Sequence, residues 1–221
     1  MILIPAHNEE ESLGEVLEGL ALHVPSEHVV VVDSFCTDRT VAVAQSFGVK
    51  VLKASKSGYW NALSCGYNYA LSENVEYLIQ LDADGQHPPS AVPRLLHQIL
   101  ENPNLDWVIG SRAGTGTYIP FDRRLVQELF SRWVEQKTQH RFGDISSGFW
   151  ALNRRGLEVL SRYPYQTADV LIRLYGLKEG LRFKEIPVPM LERKSGQSMH
   201  SRLTALLSIL KLCRECKKFN S

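Results

Sequence analysis

EHVVVVDSFCTDRTVAVAQSFGVKVLKA, residues 27–54, carries the fold in miniature. Valines 29–32 form a β-branched run of the kind that a strand buried on both faces requires. TDRTVAVAQSFG then reads as a helix ended by Gly48, and VKVLKA as the next strand. The same alternation extends on either side. Upstream, ILIP (2–5) is a short apolar strand, followed by a helix in which Leu13, Val16, Leu17 and Leu20 recur at helical spacing behind an acidic first turn. Downstream come a helical segment SGYWNALSCGYNYALSE (57–73), a strand YLIQLD (77–82), a helix SAVPRLLHQILEN (90–102) with Pro93 near its start, and a strand DWVIGSR (106–112). Repeated β-α units with short loops predict an α/β fold, a mostly parallel central sheet flanked by helices.

After Arg112 the alternation breaks. AGTGTYIP (113–120) is a Gly/Thr loop, RRLVQELFSRWVEQKTQ (123–139) reads as a helix, and FGDISSGFWALNRRG (142–156) as a loop passing into a strand. The prolines of RFKEIPVPML (182–191) mark that segment as an edge strand. With no linker and no internal repeat, residues 1–200 are expected to form a single domain.

The 221 residues are 44% hydrophobic and 22% charged, with a formal net charge of +1. That balance describes an ordinary globular protein and lacks the basic footprint of a nucleic-acid binder. No apolar stretch reaches the roughly 18–20 residues that cross a bilayer. MILIPAHNEEES turns acidic too soon for a signal peptide. The expectation is a cytoplasmic protein able to lie on a membrane. Cys36, Cys65, Cys213 and Cys216 show no disulfide or zinc pattern and read as reduced thiols.

In parallel sheets ligands bind beyond the carboxyl ends of the strands. His7 and Asn8, Asp33, Asp82 and Asp84, and Ser111 and Arg112 stand at those ends. Asp82 and Asp84, one residue apart, repel each other unless something positive lies between them. An Asp-x-Asp at a strand end suits a hard divalent cation, Mg2+ or Mn2+, shared with a substrate's phosphates. Gln86 adds a neutral oxygen, and His87 borders the pair. The plain alternative is a polar turn, for which Asp, Gly and Pro are common.

In order along the chain, IPAHNEEESL, VVVVDSFCTDRT, KSGYWNALSCGY, LDADGQHPP, IGSR and DISSGFWAL resemble the motifs of family 2 inverting glycosyltransferases of the GT-A fold. The likeness is to their polyprenyl-phosphate branch, of the dolichol-phosphate mannose synthase kind, and it runs from Ile2 to about residue 200. It implies a Rossmann-like GT-A domain with a nucleotide-sugar-binding half (1–112) and an acceptor half (113–200). A GDP- or UDP-sugar donor, Mg2+ or Mn2+, and a polyprenyl phosphate acceptor come with it. Residue by residue, it implies that the metal is held by Asp84 and Gln86, with Asp82 in the metal shell or facing the donor's ribose. Pro5, Ala6, Asn8, Glu9, Asp33 and Lys56 line the donor site with the two carboxylates. Arg112, Arg123, Ser147, Gly148, Arg193 and Lys194 face the acceptor. Asp84, Arg112 and Asp144 form the reaction centre. Ser34 stands where the family has a second Asp, and Phe35–Cys36 replace small residues, which loosens the inference about the base.

A phosphate acceptor is already an anionic nucleophile and needs no base; a sugar hydroxyl needs one, and Asp144 would be it. An inactive binding module that keeps the fold is a third reading. Leu203, Leu206, Leu207, Leu210 and Cys213 fall on one helix face, with Arg202, Lys211, Arg214, Lys217 and Lys218 against Glu215 alone. A basic amphipathic helix over 201–221 is therefore expected to contact the cytoplasmic face of a membrane peripherally, with a membrane partner protein possible. RKSGQSMH (193–200) reads as a mobile loop over the acceptor phosphate.

Overall fold

The computed structural model describes residues 1–118, 121–163 and 169–191. In chain order the elements are β1 (Ile2–Ala6), α1 (Leu13–Ala21), β2 (Val29–Asp33), α2 (Thr40–Ser46), β3 (Lys50–Lys53), α3 (Tyr59–Ser72) and β4 (Tyr77–Gln80). They continue with α4 (Val92–Leu100), β5 (Trp107–Ser111), α5 (Phe121–Thr138), β6 (Trp150–Asn153), α6 (Arg154–Ser161), α7 (Asp169–Lys178) and β7 (Phe183–Pro187). The strands make one sheet in the order β3-β2-β1-β4-β6-β5-β7. Only β6 runs against its neighbours: it pairs antiparallel with both β4 and β5, and the other pairings are parallel.

The valine run explains the middle of the sheet. Every residue of β1, β2 and β5 is buried. Side-chain alternation sends Leu3, Val30 and Val32 to one face, where Leu63 and Tyr67 of α3 and Leu157 of α6 cover them. Ile2, Ile4, Val29 and Val31 go to the other face, beneath Leu13, Val16 and Leu17 of α1 and Leu95 of α4. The proline-bearing β7 lies at the sheet's edge, as its sequence implies.

Two features go beyond the sequence reading. The strand expected near residue 150 is inserted, reversed, between β4 and β5. Helices α6 and α7 fill a stretch that pattern left unassigned. Asn153 ends β6 and caps α6, its Oδ1 accepting from the Gly156 amide at 2.8 Å. Gly156 is buried with its Cα against the backbone carbonyl of Asp106, just ahead of β5, leaving no room for a side chain. Backbone yields less readily than a side-chain end. Gly156→Ala is therefore expected to destabilise the protein by about 1–3 kcal/mol, despite alanine's better helix propensity, read as a lower urea midpoint at unchanged slope.

Candidate active site

Reversal of β6 decides what meets at the sheet's carboxyl rim. There β1 ends at Ala6, β2 at Asp33 and β5 at Ser111, while β4 runs on into Asp82 and Asp84. Because β6 enters from this rim, the loop Ser147–Gly148–Phe149 lands beside Asp82. The register pairs Trp150 with Gln80 on one side and Ile109 on the other.

On the β1–β2 side, Pro5 pairs with Val32 and Ala6 with Asp33. Asn8 takes a positive φ of 56°, and its Oδ1 accepts from the Thr37 amide at 2.8 Å. Glu9 accepts from the Ser12 hydroxyl at 2.9 Å, while its amide donates to Thr40. Asp33 Oδ1 accepts from the Cys36 amide at 2.7 Å, which closes the turn after β2. Ser34, in place of a second carboxylate, turns inward and accepts from the Gly58 amide. The residue that follows, Phe35, holds φ at 63°, a left-handed conformation that is strained for a bulky side chain. Burial, with smaller effects from neighbours, pushes the Cys36 thiol up to about 11, so it stays protonated and inert. Lys56 is exposed in the loop before α3.

At the centre, Asp82 Oδ1 accepts from the Tyr59 hydroxyl at 3.0 Å. The Asp82 amide donates to His87 Nδ1 at 2.9 Å, which leaves the ring proton on Nε2. His87 is buried and stacked on Phe149, with centroids 5.1 Å apart. Burial lowers its pKa to about 4, so a neutral ring lies against the two carboxylates. Asp84 Oδ1 accepts from the Gln86 amide across a turn in which Gly85 has φ of 75°. The Leu191 amide, beyond β7, donates to the Gln86 carbonyl and pins that turn. Two carboxylates with an amide oxygen close by are a hard-oxygen donor set of the kind Mg2+ or Mn2+ takes. Among the described residues no group of three or more His, Cys, Asp or Glu side chains is placed to hold a metal ion.

Across the rim, Arg112 and Asp144 form a forked pair. Arg112 Nε donates to Asp144 Oδ2 at 2.6 Å and Nη2 to Oδ1 at 2.8 Å, while the Arg112 amide reaches Oδ2 at 3.1 Å. Nη2 also donates to Ser146 Oγ, which Gln127 of α5 holds from the other side. Glu185 of β7 accepts from the Gly143 and Asp144 amides and anchors the loop. Asp144 is 1% exposed; burial alone raises its pKa, but the hydrogen bonds and charge of Arg112 outweigh that and hold it below the usual carboxylate range. Ser147 is buried, its hydroxyl donating to the Gly110 carbonyl and its own carbonyl accepting from Arg173. Gly148 brings bare backbone against Asp82: a methyl there would sit 2.9 Å from the Tyr59 hydroxyl and 3.1 Å from Asp82 Oδ2.

Thus Pro5, Ala6, Asn8, Glu9, Asp33, Asp82, Asp84, Gln86, Arg112, Asp144, Ser147 and Gly148 come together on one rim. Arg123 falls in the first turn of α5, but its side chain lies outside what is described, and Arg124 is exposed. Arg193, Lys194, the 193–200 loop and the 201–221 helix lie outside the described residues. Pattern reading missed Tyr59, Gln80, Arg173 and Glu185. Gln80 interrupting an apolar strand, and Arg173 interrupting the apolar VLIRLYG of α7, were the signals available. Trp150 is core, packed edge-on against Trp107, as its residue type suggests.

Comparison with known proteins identifies the family. The family described as Glycosyl transferase family 2 matches residues 1–161. Undecaprenyl-phosphate mannosyltransferase of Micrococcus luteus is 30% identical, over 91% of this chain and 87% of that protein. Polyprenol monophosphomannose synthase of Mycolicibacterium smegmatis is 26% identical, over 91% and 80%. The solved structure of glucosyl-3-phosphoglycerate synthase from Mycobacterium tuberculosis, in complex with Mn2+, UDP-glucose and phosphoglyceric acid, shares the fold. Its TM-score is 0.74 at 19% identity, over 98% of this chain and 79% of that one.

The depressed Asp144 pKa sets a pH dependence. A carboxyl lowered by folding contributes stability above its unfolded value, near 4, and loses it as pH falls through the folded value. Asp144→Asn is expected to be about 2–3 kcal/mol less stable than wild type at pH 7, with the gap narrowing below pH about 4 in chemical denaturation.

Proposed function

The chain belongs to glycosyl transferase family 2 and is a glycosyltransferase, and we propose that it moves a hexose from a nucleoside diphosphate sugar to a polyprenyl phosphate with inversion. The observation that carries the acceptor class is the Arg112–Asp144 fork. A sugar-hydroxyl acceptor needs a base, and the carboxylate best placed for that work accepts from Arg112 on both oxygens and is held well ionised. Asp144 instead orients a guanidinium, 19% exposed, toward the rim. With Nε and Nη2 committed to Asp144 and Ser146, the guanidinium is fixed in place, and a fixed cation is what an anionic phosphate requires for alignment. The two relatives with polyprenyl-phosphate names agree with this.

In this reading Asp33, with the backbone of Pro5 and Ala6 and the side chains of Asn8 and Glu9, borders the nucleoside, and Lys56 reaches the diphosphate. Asp82, Asp84 and Gln86 would hold Mg2+ or Mn2+. The ion, when bound, supplies Lewis-acid stabilisation of the leaving diphosphate. Arg112, with Arg123, Arg193 and Lys194 as further candidates, holds the acceptor phosphate in line, while Gly148 lets the loop approach the sugar. An acceptor phosphate oxygen forms the new bond to the anomeric carbon as the bond to the diphosphate breaks. The nucleoside diphosphate carries away the electron pair, and no proton need move.

A lipid acceptor places the work at a membrane surface. Among the described residues no helix is long and apolar enough to cross a bilayer. Peripheral attachment at the cytoplasmic face through residues 201–221, alone or with a membrane partner protein, is the corresponding proposal.

The test is transfer of labelled sugar from GDP-mannose or UDP-glucose in detergent with Mn2+. Undecaprenyl phosphate, unphosphorylated undecaprenol and a soluble disaccharide serve as acceptors. Label is expected in the phosphate lipid only, with Asp84→Asn reducing kcat/KM at least about a hundredfold. Transfer to the disaccharide alone would replace this reading with the hydroxyl route.

A further inference from the structure

Behind Asp82 a line of polar side chains crosses the core. Trp150 Nε1 donates to the Tyr67 oxygen at 3.2 Å, and the Tyr67 hydroxyl to Gln80 Oε1 at 2.6 Å. Gln80 Nε2 donates to the Tyr59 oxygen at 3.0 Å, and the Tyr59 hydroxyl to Asp82 Oδ1 at 3.0 Å. The two ends fix the direction of every link. An indole N–H only donates and an ionised carboxylate only accepts, so each hydroxyl between them must pass its proton toward Asp82. The Gln80 amide cannot be flipped either. Its second hydrogen goes to the Gly148 carbonyl at 3.1 Å, which only accepts.

Trp150, Tyr67 and Gln80 are fully buried. Packing alone would be served as well there by Phe and Leu, and polar groups at such positions are destabilising unless every one is satisfied. Donors aligned head to tail polarise one another, so the Tyr59 hydroxyl is a stronger donor to Asp82 than an isolated phenol. The branch at Gln80 adds a second function. One rigid amide holds the carboxylate through Tyr59 and the Ser147–Phe149 loop through Gly148.

We propose that Gln80 and Tyr59 are positioning residues that fix the Asp82 carboxylate and the Gly148 backbone relative to each other, so that donor and acceptor sides of the site keep one spacing. The inference rests on Asp82 as a ligand of the donor's cation, with the oxygen held by Tyr59 aimed from behind and the carboxylate facing the rim. Partners that orient metal ligands in this way are commonly worth ten- to a hundredfold in metal affinity.

The experiment is calorimetric titration of Mn2+ into the whole protein with GDP or UDP present, for wild type, Tyr59→Phe and Tyr67→Phe, alongside melting temperatures. Tyr59→Phe keeps the ring and removes one hydroxyl at a half-buried position. It is expected to stay folded, to bind Mn2+ about tenfold more weakly and to raise the donor KM. Tyr67→Phe cuts the line two links away and should weaken Mn2+ in the same direction by less. A merely structural role would lower the melting temperatures and leave Mn2+ affinity alone. If both variants fold and bind Mn2+ within about twofold of wild type, the proposal is overturned. If wild type itself binds no Mn2+ with either nucleotide, the cation reading falls, and this inference with it.

Discussion

The reversed pairing of β6 is the constraint on which the rest of the structure depends. An antiparallel strand between β4 and β5 must start at the rim where its neighbours end. A parallel strand in the same slot would carry Ser147–Phe149 to the opposite edge, about a strand length from Asp82. With β6 reversed, Trp150 lies between Gln80 and Ile109, Gly148 touches Asp82 and Tyr59, and Phe149 covers His87. Glycosyl transfer needs donor and acceptor within reach of one another, and on the proposed assignment of the rim this strand direction serves that need.

Two charge arrangements on the rim divide the chemistry. At its centre, Asp82 accepts from a phenol, and a neutral histidine lies against both carboxylates. A cation shared with a diphosphate is the natural complement, and a free sugar diphosphate would otherwise meet repulsion. Beside it, Asp144 accepts from Arg112 on both oxygens and from Ser146, which leaves it ill suited to act as a base. Breaking such a pair leaves an uncompensated buried charge, and the pair ties the loop between α5 and β6 to the end of β5.

Most of the fold was legible because it is local. Valines 29–32, the helical spacing of Leu13 to Leu20 and the glycine after α2 each encode their own element. The candidate rim was legible for a related reason: residues at strand ends point to it whatever the strand order. Strand direction is not encoded that way. FWALN reads as a buried strand in either orientation, and only its neighbours' registers decide. The Arg112–Asp144 fork joins residues 32 apart, and the line from Trp150 to Asp82 joins residues up to 83 apart. Neither leaves a periodic trace. Gln80 and Arg173 each broke an apolar pattern, and a single polar residue in such an element has too many explanations to be assigned without its partners.

On the proposed function, Asp82 and Asp84 hold, with a nucleoside diphosphate, one divalent cation beside the Arg112 guanidinium. Diffraction from crystals grown with Mn2+ and GDP or UDP, recorded at the manganese absorption edge, tests it most directly. The expected result is one anomalous peak bounded by the Asp84 carboxylate, the Asp82 side and the diphosphate, with the nucleoside lying toward Asp33. A diphosphate bound elsewhere on the protein, or bound on this rim with no manganese at the two carboxylates, would contradict it.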